Sequence, residues 1–344
     1  MTDSCCNSDR PLVSAVIPTR ARPDLLVCAV RSALAQTWPN LEVLVVVDGP
    51  DPASAARLAC FGKARVRVVY LNKTLGGAEA RNVGVRAARG EWIAFLDDDD
   101  AWLPEKIERQ MRAVREMHEW FPVVSSRVIA RSPTSRRILP VHAYQPAQPI
   151  ADFLFCREKI GDSGGVMQCS TLLAPRDLLL AIPFQAGLPL HQDWDWLIRV
   201  SEHEGVGFSM LREPLSIWRV EDGRTTAGGS PDWQFSLAWI RNLRPLISRR
   251  AFSWFVAVEC AWRAQTSRAG LRVRLKLLRA LLVEGRAEPA SVLNFLIFSL
   301  VPERLRRMIR RHFLRQDPGC ATGTGLRLVH TRPSGQPLLR KRSL

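Results

Sequence analysis

Residues 95–102 read FLDDDDAW: four consecutive aspartates between an apolar run and a tryptophan. Adjacent carboxylates repel one another unless a cation or hydrogen-bond donors face them. Across a tight turn, Asp97 and Asp99 can point at one ligand. Two carboxylates plus two phosphate oxygens give a hard divalent cation much of its oxygen shell. The same residues would also serve as a solvated cap, because Pro104 suits a first helical turn and Glu105 suits the positive end of a helix dipole. HQDWDW (191–196) is a second acidic feature. Asp193 and Asp195 are two apart and diverge on a helix. At its start one can cap while the other faces a cleft, where a carboxylate beside a hydroxyl acts as general base. Asp48 closes an apolar run as Asp-Gly, either to accept hydrogen bonds from a base or ribose or to form a turn. Thr19 and Arg20 end the run before it, and Arg20 or Arg22 would face a phosphate or stay solvated. In NKTLGGAEARNVGVRAARG (72–90), Gly76 and Gly77 permit close backbone approach. Arg81 and Asn82 fall on the early turns of the following helix, aimed toward the aspartates.

These residues need a scaffold, and the apolar runs supply one. VSAVIPT (13–19), LEVLVVVDG (41–49), VRVVYLN (66–72) and EWIAFLD (91–97) are nearly continuous apolar stretches. Such runs fit strands of a parallel sheet covered on both faces. Helical patterns fill 24–36, 52–61, 77–89 and 104–118, giving βαβαβαβ spacing. The polar and small residues of that half collect just after the strands, at the carboxyl edge where open α/β sheets bind ligands. Beyond a strand at 123–130, the prolines and GDSGG of 131–165 predict long loops. QCSTLLA (168–174) reads as a strand and 193–205 as a helix. A strand over 208–220 is broken by Pro214, and EDGRTTAGGS follows as a loop. From about 233 the chain reads as helical, although the early alternation in 268–283 leaves helix against strand open.

The 344 residues suffice for two domains, or for one α/β domain with an appendage. The eight cysteines form no CxxC pair and no zinc-spaced cluster, which favours reduced thiols. There is no GxGxxG, no GxxxxGK[ST] and no GxSxG, so dinucleotide, P-loop and serine-hydrolase chemistry are unsupported. The start of the chain lacks a signal-peptide pattern. The longest apolar stretch, 291–301, is half the roughly 20 residues of a membrane span. A cytoplasmic protein is expected, peripheral on the cytoplasmic face of the inner membrane. Residues 1–240 carry 27 Lys+Arg against 28 Asp+Glu, whereas 241–344 carry 22 against 5. The formal net charge of +16 therefore belongs to the last hundred or so residues.

In order and spacing these motifs resemble the GT-A type, family 2 glycosyltransferases, over about residues 11–225. The match runs through 13–49, GGAEARNVGVRAARGEWIAFLDDDDAW (76–102), HQDWDWLIRV (191–200) and SIWR (216–219). The resemblance implies an α/β GT-A nucleotide-sugar-binding domain with a central, mostly parallel sheet at 11–230. A basic helical extension at 231–320 and a flexible basic tail at 321–344 would follow. It implies inverting, hexosyl-type transfer from a nucleotide-diphosphate-sugar, with Mg²⁺ or Mn²⁺. Asp97 and Asp99 match the outer residues of the DxD motif as metal ligands, and Asp98 would contact ribose or metal. Asp48 matches the nucleoside-binding aspartate, and Asp193 the catalytic base. Thr19, Arg81 and Arg219 complete the expected donor contacts. Trp194 or Trp196 would line the sugar pocket or enter the core. Two positions depart from the pattern: the family's Glu-Asp pair reads Gln192-Asp193, and its Arg-x-His reads Arg219-Val220-Glu221.

The expected acceptor is a lipid-linked or cell-envelope saccharide. The cationic, leucine-rich 268–315 would meet an anionic membrane surface. Its rival is a set of solvated arginines on helices packed against the core. Nucleic acid is disfavoured, since no aromatic-basic module or zinc finger accompanies the charge. Two alternatives stand beside the transferase: a non-catalytic nucleotide-sugar-binding partner in an envelope-assembly complex, and a metal-dependent nucleotidyltransferase.

Overall fold

A computed structural model describes residues 10–62, 65–133, 135–158, 162, 164–220 and 232–301. The first half alternates strand and helix: β1 (Val13–Thr19), α1 (Pro23–Leu34), β2 (Leu41–Val47), α2 (Pro52–Leu58), β3 (Val66–Tyr70), α3 (Gly77–Ala87) and β4 (Trp92–Phe95). The short β5 (Ala101–Trp102) and α4 (Lys106–Glu116) follow the aspartates, and β6 (Phe121–Arg131) returns to the sheet. Next come β7 (Arg136–Leu139), α5 (Ile150–Phe155), β8 (Leu173–Pro175), α6 (Arg176–Ala181), α7 (Gln192–Ser201) and β9 (Val206–Arg219).

The sheet runs β3-β2-β1-β4-β8-β6-β9-β5, with β7 beside β6. Its first four strands are parallel, as the βαβ spacing requires. The expectation of a mostly parallel sheet fails beyond β4, and the sheet is mixed. β8 is antiparallel to both β4 and β6, β7 to β6 and β5 to β9, while β6 and β9 run parallel. No helical crossover links β4 to β8; β8 comes in from the long loops, and a strand arriving that way is free to run either direction.

Side-chain alternation explains the continuous apolar runs. Val13, Ala15 and Ile17 of β1 enter one core with α1 and α4. Val16 and Leu44 enter the other, against Ala78 and Val85 of α3. With both faces covered, no position in β1 is left for a solvent-facing polar residue. α2 begins where Asp51 accepts from Ser54 N at 3.0 Å. Pro214 does not end β9: the register with β6 shifts around Arg127, and the strand continues to Arg219. A bulge absorbs the missing N–H of proline. QCSTLLA forms a 3₁₀ turn at Cys169–Thr171 before β8, instead of one strand.

The helices after residue 232 share the α3-side core. They are α8 (Trp233–Asn242), α9 (Arg249–Phe255), α10 (Ala261–Thr266), α11 (Leu271–Arg279) and α12 (Pro289–Leu300). α9 runs into α10 through a π-helical turn, Val256–Cys260. α11, whose pattern left helix against strand open, is a helix. Trp239, Trp254 and Phe255 pack in one cluster with Trp196 of α7. From 302 onward, including the end of the cationic, leucine-rich 268–315 and the basic tail, the chain lies outside the described residues.

α3 lies close on the sheet because Gly84 has no side chain: a Cβ there would run into Cγ1 of Val16. Gly84→Ala should destabilise by about 1–3 kcal/mol through overpacking, read as a lower urea midpoint with an unchanged slope.

Candidate functional site

The aspartate turn closes through Asp100 N donating to Asp97 O at 3.0 Å. Ser170 Oγ accepts from Asp97 N at 3.0 Å, pinning the turn to the 3₁₀ segment before β8. The turn sends its four side chains to two places. Asp97, Asp99 and Asp100 each offer an oxygen within 4.8 Å of the others. Asp98 faces inward, accepting from Thr19 Oγ1 at 2.8 Å and from Arg22 Nη1 at 3.1 Å. Arg22 also pairs with Asp99 at 2.7 Å. Thus Asp100, which the motif reading passes over, joins the cluster, and Asp98 ties the turn to the end of β1. An all-carboxylate oxygen set suits a hard divalent cation. Burial, then the charges of Asp97 and Asp99, holds the Asp100 carboxyl well above its ordinary range. A cation would relieve that repulsion.

Asp48 is buried at the end of β2. Its carboxylate accepts from Leu75 N at 2.7 Å and Gly76 N at 3.0 Å. It thereby fixes the loop that starts α3, where Gly76 adopts φ 90°. Arg81, one turn into α3, is buried and donates to Asp97 at 2.5 Å and to Gln192 Oε1 at 2.9 Å. Gln192 is the position where the family pattern carries a glutamate; here it accepts from Arg81 and donates to Leu188 O at 2.6 Å.

Asp193 and Asp195 diverge as the spacing predicts. Asp195 is buried between Arg199 (2.7 Å) and the indole N–H of Trp239 (3.0 Å), anchoring α8 to α7. Asp193 lines the cleft and accepts from Cys169 N at 3.0 Å and Cys169 Sγ at 2.9 Å. Burial raises its pKa, with the Arg81 charge working the other way. His191, in the left-handed conformation at φ 64°, stacks on Trp194 and bonds Ser236 Oγ at 2.9 Å. Burial and the Arg263 charge push its pKa well down. Ser236 is fully buried, so this pair supports packing and no nucleophile. Trp194 reaches the cleft, while Trp196 is enclosed and donates to Ile182 O.

One cavity of about 840 Å³ collects these groups: Thr19, Asp48, the aspartate turn, Arg81, Asp193 and Arg219. Arg219 N donates to Asp100 at 3.3 Å; Glu221 lies outside the described residues. Glu259 and Arg263, an ion pair at 2.8 Å, complete the wall from the π-turn and α10. No sequence motif marks them. Their only signal is an acid and a base four apart on a helix, which is common on any helix surface. Cys169 had no signal at all.

Residues 14–162 match the family model described as Glycosyl transferase family 2. The chain carries a family 2 glycosyltransferase domain. The carboxylate cluster lies inside the matched segment, whereas Asp193, α7 and the α8–α10 wall lie beyond it. The amylovoran biosynthesis glycosyltransferase AmsB of Erwinia amylovora is 24% identical over 276 residues, 77% of this chain and 89% of that protein. The succinoglycan biosynthesis protein ExoO of Rhizobium meliloti is 41% identical over 101 residues, 29% of each chain. A teichuronic acid biosynthesis glycosyltransferase of Bacillus subtilis, TuaG, is 36% identical over 109 residues, 31% of this chain and 43% of that one. The chain thus spans most of the first relative and less than half of the other two. Among solved structures, S. aureus TarS 1–349 in complex with UDP-GlcNAc superposes with a TM-score of 0.54 at 16% identity, covering 88% of this chain and 87% of that one. At that identity the likeness shows the fold.

Burial raises the Asp98 carboxyl from 3.8 to about 6, against the opposing hydrogen bond from Thr19. Between about pH 4 and about pH 6 the native state therefore keeps a proton that the unfolded chain has released, and stability falls as pH rises through that window. Asp98→Asn removes the effect. Its melting temperature relative to wild type, in chelator, should climb from pH 4 to pH 7, by the equivalent of about 2–3 kcal/mol. A flat difference would contradict the assigned burial.

Proposed function

We propose that the protein moves a sugar, with inversion, from a nucleotide-diphosphate donor to a hydroxyl of a lipid-linked or envelope saccharide. One observation carries the reading: Asp193 and the three-carboxylate cluster open into the same cleft, tied together through Arg81 and Gln192. Asp193 takes the proton of the acceptor hydroxyl as its oxygen bonds to C1 of the sugar and the bond from C1 to the diphosphate oxygen breaks. The two hydrogen bonds from Cys169 aim the base and work against the rise that burial gives its pKa. Asp97 and Asp99, with Asp100 beside them, would hold Mg²⁺ or Mn²⁺, which when bound offsets the negative charge of the departing diphosphate. Thr19 and Asp48 shape the nucleoside end of the cleft; Arg81 and Arg219 line its phosphate end. Glu259 and Arg263 face the acceptor side. In this reading 11–230 carries the chemistry and the helices after it complete the acceptor wall. The relatives' names, from amylovoran, succinoglycan and teichuronic acid biosynthesis, support an envelope or extracellular polysaccharide as the product. The UDP-GlcNAc in TarS places uridine diphosphate sugars first among donors to try.

The test is nucleotide release from UDP-, GDP- and dTDP-sugars, with Mn²⁺ or Mg²⁺ and a membrane lipid extract. Release should require cation and extract, and Asp193→Asn should lower it about 10²–10⁴-fold while nucleotide binding persists. Undiminished release in that variant would remove Asp193 from the mechanism. Cys169→Ala deletes a hydrogen bond that lowers the Asp193 pKa. The acidic limb of the pH–rate profile should then move to higher pH, and Cys169→Ser should restore it.

A further inference from the structure

Among the described residues, twelve large hydrophobic side chains are exposed, and seven of them fall between 271 and 300. Six of them form two stripes, and the seventh, Val283, follows Leu282. On α11 and the π-turn that prolongs it, Leu271, Leu275 and Leu282 are exposed and Leu278 is half-buried, at spacings of four, three and four. That is one helical face. The opposite side, with Leu277 and Leu281, enters the core. On α12, Leu293, Leu296 and Leu300 make the second stripe, the last 66% exposed. α12 reads PASVLNFLIFSL and has no charged residue, so its outward face has no polar rim of its own. Single exposed leucines are ordinary, whereas stripes of them mark a surface that meets something apolar.

Charge identifies the occupant. Residues 268–301 contain six Lys+Arg and two Asp+Glu. Arg268, Arg272, Lys276, Arg279 and Arg286 are exposed. Both acids are already neutralised, Glu284 by Arg241 at 2.5 Å and Glu288 by Arg250 at 2.8 Å. The chain that follows, 302–344, adds eleven Lys+Arg against two Asp+Glu. A protein partner would need a complementary acidic rim around an apolar centre. A bilayer with anionic headgroups over acyl chains offers both layers at once. No helix among the described residues is long and apolar enough to cross a membrane, and α12, at about 18 Å, falls short of a hydrocarbon core of about 30 Å.

We propose that the leucine stripes of α11 and α12 seat the enzyme on an anionic lipid surface, with the exposed arginines at headgroup level. The placement deepens the transferase reading without depending on it. α12 packs on the Val256–Cys260 turn that sends Glu259 into the cleft. A lipid-borne acceptor would thus be met by the helices that form the acceptor wall.

Flotation of the full chain with vesicles tests this with no substrate present, so its outcome is independent of activity. Wild type should float with phosphatidylcholine–phosphatidylglycerol vesicles and much less with phosphatidylcholine alone. The triple change Leu293→Gln, Leu296→Gln, Leu300→Gln should abolish flotation, with circular dichroism and melting temperature unchanged. Arg272→Gln with Arg279→Gln should weaken anionic-vesicle binding about five-fold for each charge removed. The proposal fails if wild type stays in solution with anionic vesicles, or if the triple variant floats as well as wild type. It also fails if sedimentation shows a self-associated wild type that the leucine changes dissociate, which would assign the stripes to a second copy.

Discussion

The buried guanidinium of Arg81 is the constraint around which the cleft is organised. A charge this enclosed is tolerated only when paired, and removing one partner of such a pair costs about 3–5 kcal/mol. Arg81 meets the requirement with Asp97 on one side and Gln192 on the other. It therefore joins three pieces that are far apart in the chain: α3, the aspartate turn and the start of α7. Compare Arg57 with Asp24, an exposed pair at 2.6 Å, where solvent reduces the interaction to about 0.2–1 kcal/mol. With its guanidinium buried, the Arg81–Asp97 pair is shielded from solvent far more than the exposed one and can set geometry. Gln192 in place of a glutamate fits this arrangement: it offers a neutral acceptor to a cation that Asp97 already balances.

The second half of the molecule holds the proposed base from behind. Asp195, His191 and Trp194 of the α7 region pack into Trp239, Phe255 and Ser236 of α8 and α9. α7 thus cannot shift without disturbing the helices behind it. Those helices also contribute Glu259 and Arg263 to the cleft, so the segment outside the family match is part of the site's wall.

Much of the first hundred residues was legible in the sequence. Two-sided apolar runs of five to seven residues, punctuated by Pro, Gly and Asp, have few readings other than buried parallel strands. β1 to β4 and α1 to α4 lie within a few residues of their expected bounds. Past residue 120 the signals weaken. Whether β8 runs parallel or antiparallel depends on how a long loop delivers it, and Pro214 could not announce that a bulge would carry the strand past it.

At the site, residue types and spacing determined by themselves that carboxylates collect at the sheet's carboxyl edge and that Asp193 and Asp195 part company, because strand order and helical period are local properties. Only the tertiary structure decided which oxygens face each other. Asp100 joins Asp97 and Asp99 while Asp98 turns to Thr19 and Arg22, Asp48 commits both oxygens to the loop before α3, and Cys169 comes from 24 residues away to hold Asp193. The first grouping follows from how one short turn closes; the others are contacts between segments remote in sequence. Such contacts depend on where the packed sheet and helices place each turn in space, which no local pattern of residues encodes.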